Sequence, residues 1–472
     1  MDYSNFLIMN HELSLVVVLV ALLLADVLGK NKKVFQFFAI GLFLIHSILG
    51  FTHWNIGEAT AFSGMYVTSE IHVFVKNILN IGTLIVFIFA FYWNENENKN
   101  QVGEFYFLTL STLLGMYFMV SAEHFLLFYI GLETASIPMA TLVAFNKNKR
   151  ESVEAAAKYI LTAAFSSAVM LFGISMIYGA CGSLYYGDVL RIFQTTPLHI
   201  MALIFMFAGI AFKISLVPFH LWTADTYEGA PTQVTAYLSV ISKGAAAFAL
   251  MCILFRAFAH YPDTWKNFLW WIIVITITIG NLFALRQKNM KRFLAFSSIS
   301  QAGYVMLGVI AGSSQGMAAM VYYVFIYLFT NLAAFGVISA IENKTNKITM
   351  EDYNGLYKTN PKLSFVMMLA MFSLGGIPPF AGFFSKFFIF AAASEQGEYL
   401  LVFLALLNTI ISLCYYLWVV KAMFINKSDN PIEHFKSDYM TRFGLIVCTI
   451  AMIVLGFISP IYEQIVSIAF GM

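Results

Sequence analysis

Apolar stretches of about 20 residues recur along the whole chain, and that is the length an α-helix needs to cross roughly 30 Å of hydrocarbon. About fourteen such stretches are legible, and no long polar insertion separates them. The first seven cover about 13–29, 34–53, 71–93, 105–122, 124–145, 155–180 and 199–222. The others cover about 231–256, 267–285, 293–312, 316–341, 363–393, 399–425 and 443–468. Strand-period alternation is absent, which excludes a β-barrel. Composition agrees: 60% of the 472 residues are hydrophobic and 11% charged, against roughly 45–50% and about 25% in soluble proteins. Most of the surface therefore has to face lipid. The expected fold class is an all-α polytopic membrane protein.

Charge sets the orientation. The first twelve residues contain no Lys or Arg, whereas Lys30, Lys32 and Lys33 follow the first apolar run. That is the bias of an uncleaved helix with its N-terminus outside. Loops after odd-numbered helices hold about nineteen of the 27 Lys and Arg, and the opposite loops about four: Lys76, Arg191, Arg256 and Lys266. Both termini are expected outside, in the periplasm of a cell with an inner membrane. The net charge of +2 gives no reason to expect a nucleic-acid partner. Cys181, Cys252, Cys414 and Cys448 lie in or beside apolar runs, with no metal-ligand spacing.

Four further lysines fall inside apolar spans: Lys158, Lys213, Lys243 and Lys386. Glu133, within EHFLLFYIGLETASIP on the fifth helix, is a fifth intramembrane charge. At the bilayer centre such a group costs at least about 2.5–3.5 kcal/mol. A lysine held protonated by a nearby glutamate releases its proton when the two separate, which is the physics of a relay. Lys158 is close enough to the basic loop at Lys147–Arg150 to snorkel. Lys213, Lys243 and Lys386 lie too deep for that. Structural ion pairing without transport is the competing reading of the set.

Two lysines sit beside helix breakers. Lys213 precedes Pro218 in AFKISLVPFHLW, and Lys386 follows Pro378 and Pro379 in LGGIPPFAGFFSKFF. Broken transmembrane helices commonly form ion sites. The recurrence suggests two five-helix repeats, spans four to eight and nine to thirteen, inverted because each unit holds an odd number of helices. The expected division is 1–104, a three-helix segment; 105–256 and 267–425, the repeats; and 426–472, a last helix.

Other polar residues support weaker readings. His220, Asp225 and Glu228 fit either a proton entrance or a solvated helix end. Ser297, Ser298, Ser300 and Gln301 fit either a water-bearing relay or interhelical hydrogen bonds. Glu123 and His124 read as an interface pair, and Asp26 and Lys421 as snorkelling or paired. No Walker A, GxGxxG, HExxH or CxxCH motif is present, so any redox step is expected in another subunit.

Three segments carry a family resemblance: KISLVPFHLWTADTYEGAPTQVTAYLSVISKGAAAFAL, LRQKNMKRFLAFSSISQAGYVMLG and GGIPPFAGFFSKFFIF. They resemble the proton-conducting, antiporter-like membrane subunits of respiratory complex I, over about residues 105–425. The sixth-helix segment EAAAKYILTAAFSSAVMLFGISMIYGACGSL looks like that of subunit N. A twelfth-helix lysine disfavours subunit M, and the end after the fourteenth span disfavours subunit L. The resemblance implies that Glu133 pairs with Lys213, that Lys158 tunes the pair, and that Lys243 passes protons to an exit-side Lys386. It implies a translocase subunit holding no cofactor, with FMN, iron–sulfur clusters and quinone in other subunits. The implied partners are antiporter-like subunit M, small subunits such as K, the peripheral redox arm and lipid. Two other readings stand: a subunit of a multi-subunit cation/proton antiporter, and a non-pumping structural membrane subunit.

Overall fold

A computed structural model describes residues 4–29, 31–52, 57–99 and 101–470. Lys30 lies outside the described residues. Among them, twelve helices are long and apolar enough to span a bilayer, and two shorter apolar helices accompany them. The first three spans are α1 (Asn10–Leu28), α2 (Lys32–Thr52) and α3 (Glu70–Asn96). A two-stranded antiparallel hairpin, β1 (Ala59–Ala61) and β2 (Tyr66–Thr68), joins α2 to α3. Next come α4 (Val102–Val120), α5 (Phe125–Val143) and α6 (Arg150–Cys181).

The seventh span is interrupted. Its first half is α7a (Pro197–Ile214), begun by Pro197 at the first turn and capped by Thr196, whose hydroxyl accepts from His199 N. It ends at Ser215 in the left-handed region (φ 70°), where Leu216 N turns back onto Ala211 O. The second half, α7b (Leu221–Gly229), resumes after Pro218. The next span, α8 (Thr232–Ala257), contains a π-helical turn at Leu238–Ser242. Then follow α9 (Pro262–Ala284), α10 (Met290–Ala311) and α11 (Ser314–Thr345).

The twelfth span repeats the interruption. Its first half, α12a (Pro361–Gly375), ends at Gly376 in the left-handed region (φ 79°), and its second half, α12b (Ala381–Glu395), starts after Pro378 and Pro379. The chain then runs through α13 (Tyr399–Phe424), α14 (Tyr439–Val454) and a short helix, Ser459–Ile468.

Packing sorts the helices into an inner and an outer set. The most apolar parts of α8 and α10 are buried along their whole length, and α11 nearly so. By contrast α1, α2, α6 and α13 bury a minority of their apolar residues and leave Val17, Ile45, Phe165 and Ile410 exposed. Those are the surfaces that meet lipid. Small residues allow close crossings where the helix pairs touch. A side chain at Gly131 on α5 would press into Met119 N of α4, at 2.7 Å from its Cβ.

One expectation fails here. Lys76 is not an outer-loop residue: it lies inside α3, fully buried, because that helix begins at Glu70 and is covered by the hairpin and α1.

Candidate proton-transfer site

The two breaks set the positions of two of the deep lysines. Ending α7a at Ser215 leaves Lys213 in its last turn, 2% exposed. The Lys213 ammonium donates to Ser136 Oγ at 2.9 Å and to Tyr159 Oη at 3.2 Å. Ser136 lies one turn beyond Glu133 on α5, so both side chains share a helix face. Glu133, half-buried, accepts a hydrogen bond from Ser167 of α6, whose hydroxyl also lies 3.2 Å from Tyr129 Oη. Glu133 and Lys213 therefore do not touch in this structure. Hydroxyl groups from α5 and α6 stand around both, and the pairing expected between them is replaced by serine and tyrosine contacts.

Lys158 sits elsewhere. Its side chain is 45% exposed and pairs with Glu154 at 2.9 Å and with Asp225 of α7b at 2.7 Å. It contacts neither Glu133 nor Lys213. Its neighbours line a polar cavity of about 520 Å³ at the ends of α6, α7b, α10 and α11. There Arg292 bridges Asp225 (2.6 Å) and Glu228 (2.8 Å), and Lys291 pairs with Glu342 at 3.2 Å. Asp225 and Glu228 thus share ionic partners within a cavity instead of standing free at a helix end. In the sequence Lys291 and Arg292 read only as charges of a basic loop and Glu342 carries no signal, because their partners lie 50 or more residues away.

Lys243 follows the π turn of α8 and is 6% exposed. A π turn shifts the helix register by one residue and re-aims the side chain behind it. The Lys243 ammonium donates to Ser298 Oγ of α10 at 2.6 Å and lies 5.2 Å from the centre of the Tyr227 ring. Ser297 lies 2.6 Å from Tyr416 Oη, and Gln301 Nε2 donates to that hydroxyl at 3.0 Å. Gln301 Oε1 also accepts from Tyr323.

Lys386, 4% exposed in α12b, reaches back across the break to Gly375 O at 3.4 Å and lies 4.9 Å from the Tyr304 ring centre. A cavity of about 20 Å³ adjoins Lys243 and Ser298, and one of about 10 Å³ adjoins Lys386 and Ser373. Gln301 and Tyr327 line both, so one amide and one phenol stand between the two lysines. Each space is of the size that holds about one water. Among the described residues, the hydroxyls of Tyr227, Ser242 and Tyr327 and Nδ1 of His220 are buried with no protein partner at full hydrogen-bond geometry.

On the opposite side, Glu123 and His124 do not form a pair with each other. Glu123 pairs with Arg256 at 3.1 Å, and the His124 ring accepts from Leu126 N as the cap of α5. Burial raises the Glu123 carboxyl above its ordinary value, while Arg256 pulls it down. Asp26 pairs with Lys32 at 2.7 Å. All four cysteines are free thiols. Among the described residues, no three His, Cys, Asp or Glu side chains are grouped to hold a metal ion.

Lys243 and Lys386 are buried ammonium groups with one amide, one phenol and two water-sized spaces between them. Lys213 is a third, held by Ser136 and Tyr159, and an ionic cavity lies at the ends of α6, α7b, α10 and α11. Such an arrangement can hold and hand on protons. A protein named NADH-quinone oxidoreductase subunit N from Azobacteroides pseudotrichonymphae genomovar. CFP2 is 55% identical over 477 residues, covering 100% of this chain and 99% of that one. Among solved structures, a chain of respiratory complex I from Thermus thermophilus with bound aureothin superposes with a TM-score of 0.81 at 30% identity, covering 98% of this chain and all of that one. A chain of the Mrp complex from Dietzia sp. DQ12-45-1b superposes with a TM-score of 0.86 at 19% identity, covering 99% and 96%. That last likeness speaks for the fold alone. The family model described as NADH:quinone oxidoreductase/Mrp antiporter, TM, matches residues 122–412, which contain Lys213, Lys243 and Lys386. This chain belongs to the NADH:quinone oxidoreductase/Mrp antiporter family of membrane proteins.

Proposed function

We propose that this chain is a subunit N-type, proton-translocating membrane subunit of an NADH:quinone oxidoreductase. Protons move along Lys213, Lys243 and Lys386, and Glu133 acts as the switch. The observation that carries the reading is the placement of three lysines, each at most 6% exposed, on spans interrupted beside them, with hydroxyl and amide groups between. A buried ammonium without a carboxylate in contact is held at high cost and gives up its proton when its surroundings change.

The steps follow from the contacts. Protons enter the 520 Å³ cavity, where Asp225, Glu228 and Lys158 exchange them with water. When charge movement in a neighbouring subunit draws the Glu133 carboxylate toward Lys213, that ammonium is stabilised; when it withdraws, Lys213 releases its proton. Tyr227, Ser242 and Ser298 carry the proton to Lys243, and Gln301, Tyr327 and intervening water carry it to Lys386. Lys158 tunes Glu133 through the field of its charge. The redox step belongs to other subunits, which hold FMN, iron–sulfur clusters and quinone.

The partners in this reading are a subunit M-type neighbour, small subunits such as K, the peripheral arm and lipid. The location is a bacterial inner membrane with both termini outside. The two repeats, 105–256 and 267–425, act as inverted halves around the line of lysines.

The experiment is native purification through a tag at Met472, with mass spectrometry of the partners. Iron–sulfur and quinone-site subunits are expected. Recovery with small membrane partners alone overturns this function in favour of a cation/proton antiporter.

A further inference from the structure

A second buried acid–base pair lies outside the lysine line. Lys76 Nζ donates to Glu12 Oε1 at 2.6 Å, and the two side chains are 0% and 3% exposed. Tyr66 of β2 closes a triangle: it accepts from Lys76 at 2.9 Å and donates to Glu12 Oε2 at 2.9 Å. Among the described residues neither member has another ion-pair partner.

Lys76 is also part of a stripe. His72, Lys76, Asn80 and Thr83 recur at helical spacing on one face of α3, and all four are buried. Asn80 accepts from Tyr117 of α4, and the Tyr117 hydroxyl lies 3.1 Å from Nε2 of His46 on α2. The other nitrogen of His46 lies 2.9 Å from Ser14 Oγ. Ser14, His11 and His46 border a mostly apolar groove of about 380 Å³ between α1 and α2, whose Val17 and Ile45 face lipid. His11 Nε2 is buried beside Gly50 and the Asn77 side chain. At the inner end of the stripe, Gly82 packs against Ile241 of the π turn that precedes Lys243. Tyr237, just before that turn, accepts from Thr112 of α4 at 2.8 Å.

We propose that Glu12 and Lys76 form a proton-binding site at the outer end of α1–α3, reached from mid-membrane along the α3 stripe. The proposal rests on the proton-translocating reading and the outward N-terminus given above. A proton reaching the site forms an O–H bond with a Glu12 carboxylate oxygen, leaving a neutral acid beside the Lys76 ammonium. Its departure breaks that bond and restores the carboxylate. The groups facing the pair supply the route: His11 and Ser14 on α1, His46 on α2, Tyr66 on β2, His72 and Asn80 on α3, and Tyr117 on α4. Holding helices together does not require these charges, since apolar residues of similar volume do so at no greater cost. What the charges add is an exchangeable proton.

The test uses the whole complex reconstituted in liposomes, reading protons pumped per NADH oxidised and the pH profile of quinone reduction. Glu12→Gln and the double variant Glu12→Gln/Lys76→Met are compared with wild type, and Lys213→Ala serves as the loss control. The proposal expects the double variant to assemble, to pump fewer protons per NADH and to show a shifted pH profile. Wild-type yield and profile in the double variant, with pumping lost in Lys213→Ala, overturn this proposal and leave the lysine line standing. Wild-type behaviour in all variants overturns both. Should the neutral variants not assemble, Glu12→Asp keeps both charges. A carboxyl band in turnover-induced infrared difference spectra that this variant shifts supports the site, and the lack of any such band overturns it.

Discussion

At the residue scale, the deep lysines are expensive and uncompensated, and that decides what their replacement does. Lys243 has a hydroxyl and an aromatic face but no carboxylate in contact. Lys243→Met should therefore raise the thermal stability of the assembled complex, by on the order of 1 kcal/mol, while abolishing coupled pumping. Thermal denaturation in detergent and proton uptake in liposomes check the two halves separately. A fall in both would make Lys243 a structural residue. Each lysine of the line was visible in the sequence, because a charge inside an apolar run stands out against its neighbours. Contacts were not. Glu133 is held by Ser167 and Lys213 by Ser136 and Tyr159, and those hydroxyls come from helices whose relative rotation no local pattern fixes. Lys76 was misplaced for a related reason: six residues from the start of its helix, it reads as a boundary charge until Glu12, 64 residues away, is seen against it.

At the element scale, the same break is built twice with different residues. Ser215 holds the left-handed cap of α7a, and Gly376 holds that of α12a. A non-glycine residue there costs about 1 kcal/mol, and a β-branched one more. Ser215→Gly should thus be neutral or slightly stabilising, and Ser215→Val should lower the melting temperature and slow turnover by tilting Lys213. Equal stability of the two variants would show that the cap is not under backbone constraint. In α12b, Gly382 packs onto Ser373 of α12a so closely that a Cβ would overlap its carbonyl oxygen. Gly382→Ala should cost about 1–3 kcal/mol and displace Lys386 from Gly375. Reduced assembly, or assembly with lower proton yield, checks it. The prolines made both breaks legible in advance. The π turn before Lys243 has no such marker: LSVIS carries neither proline nor glycine, and its Ile241 packs against Gly82 of α3.

At the scale of the whole molecule, the buried lysines of the line lie on α7a, α8 and α12b around the inner helices α8, α10 and α11. A second buried polar set lies among α1–α4, and the outward faces of α1, α2, α6 and α13 carry the lipid-facing surface. Apolar run lengths gave away the span pattern because bilayer thickness fixes them. The ionic cavity was hidden, since its residues come from four helix ends that meet only after folding. The central claim is that Lys213 works by gaining and losing a proton. The direct measurement compares Lys213→Ala and Lys213→Arg in the purified, reconstituted complex, reading protons pumped per NADH oxidised. An arginine keeps the charge but does not deprotonate. Assembled complexes that lose pumping in both variants are the predicted result. Wild-type proton yield with arginine in place would show that the charge matters there but the proton does not, and would contradict the account.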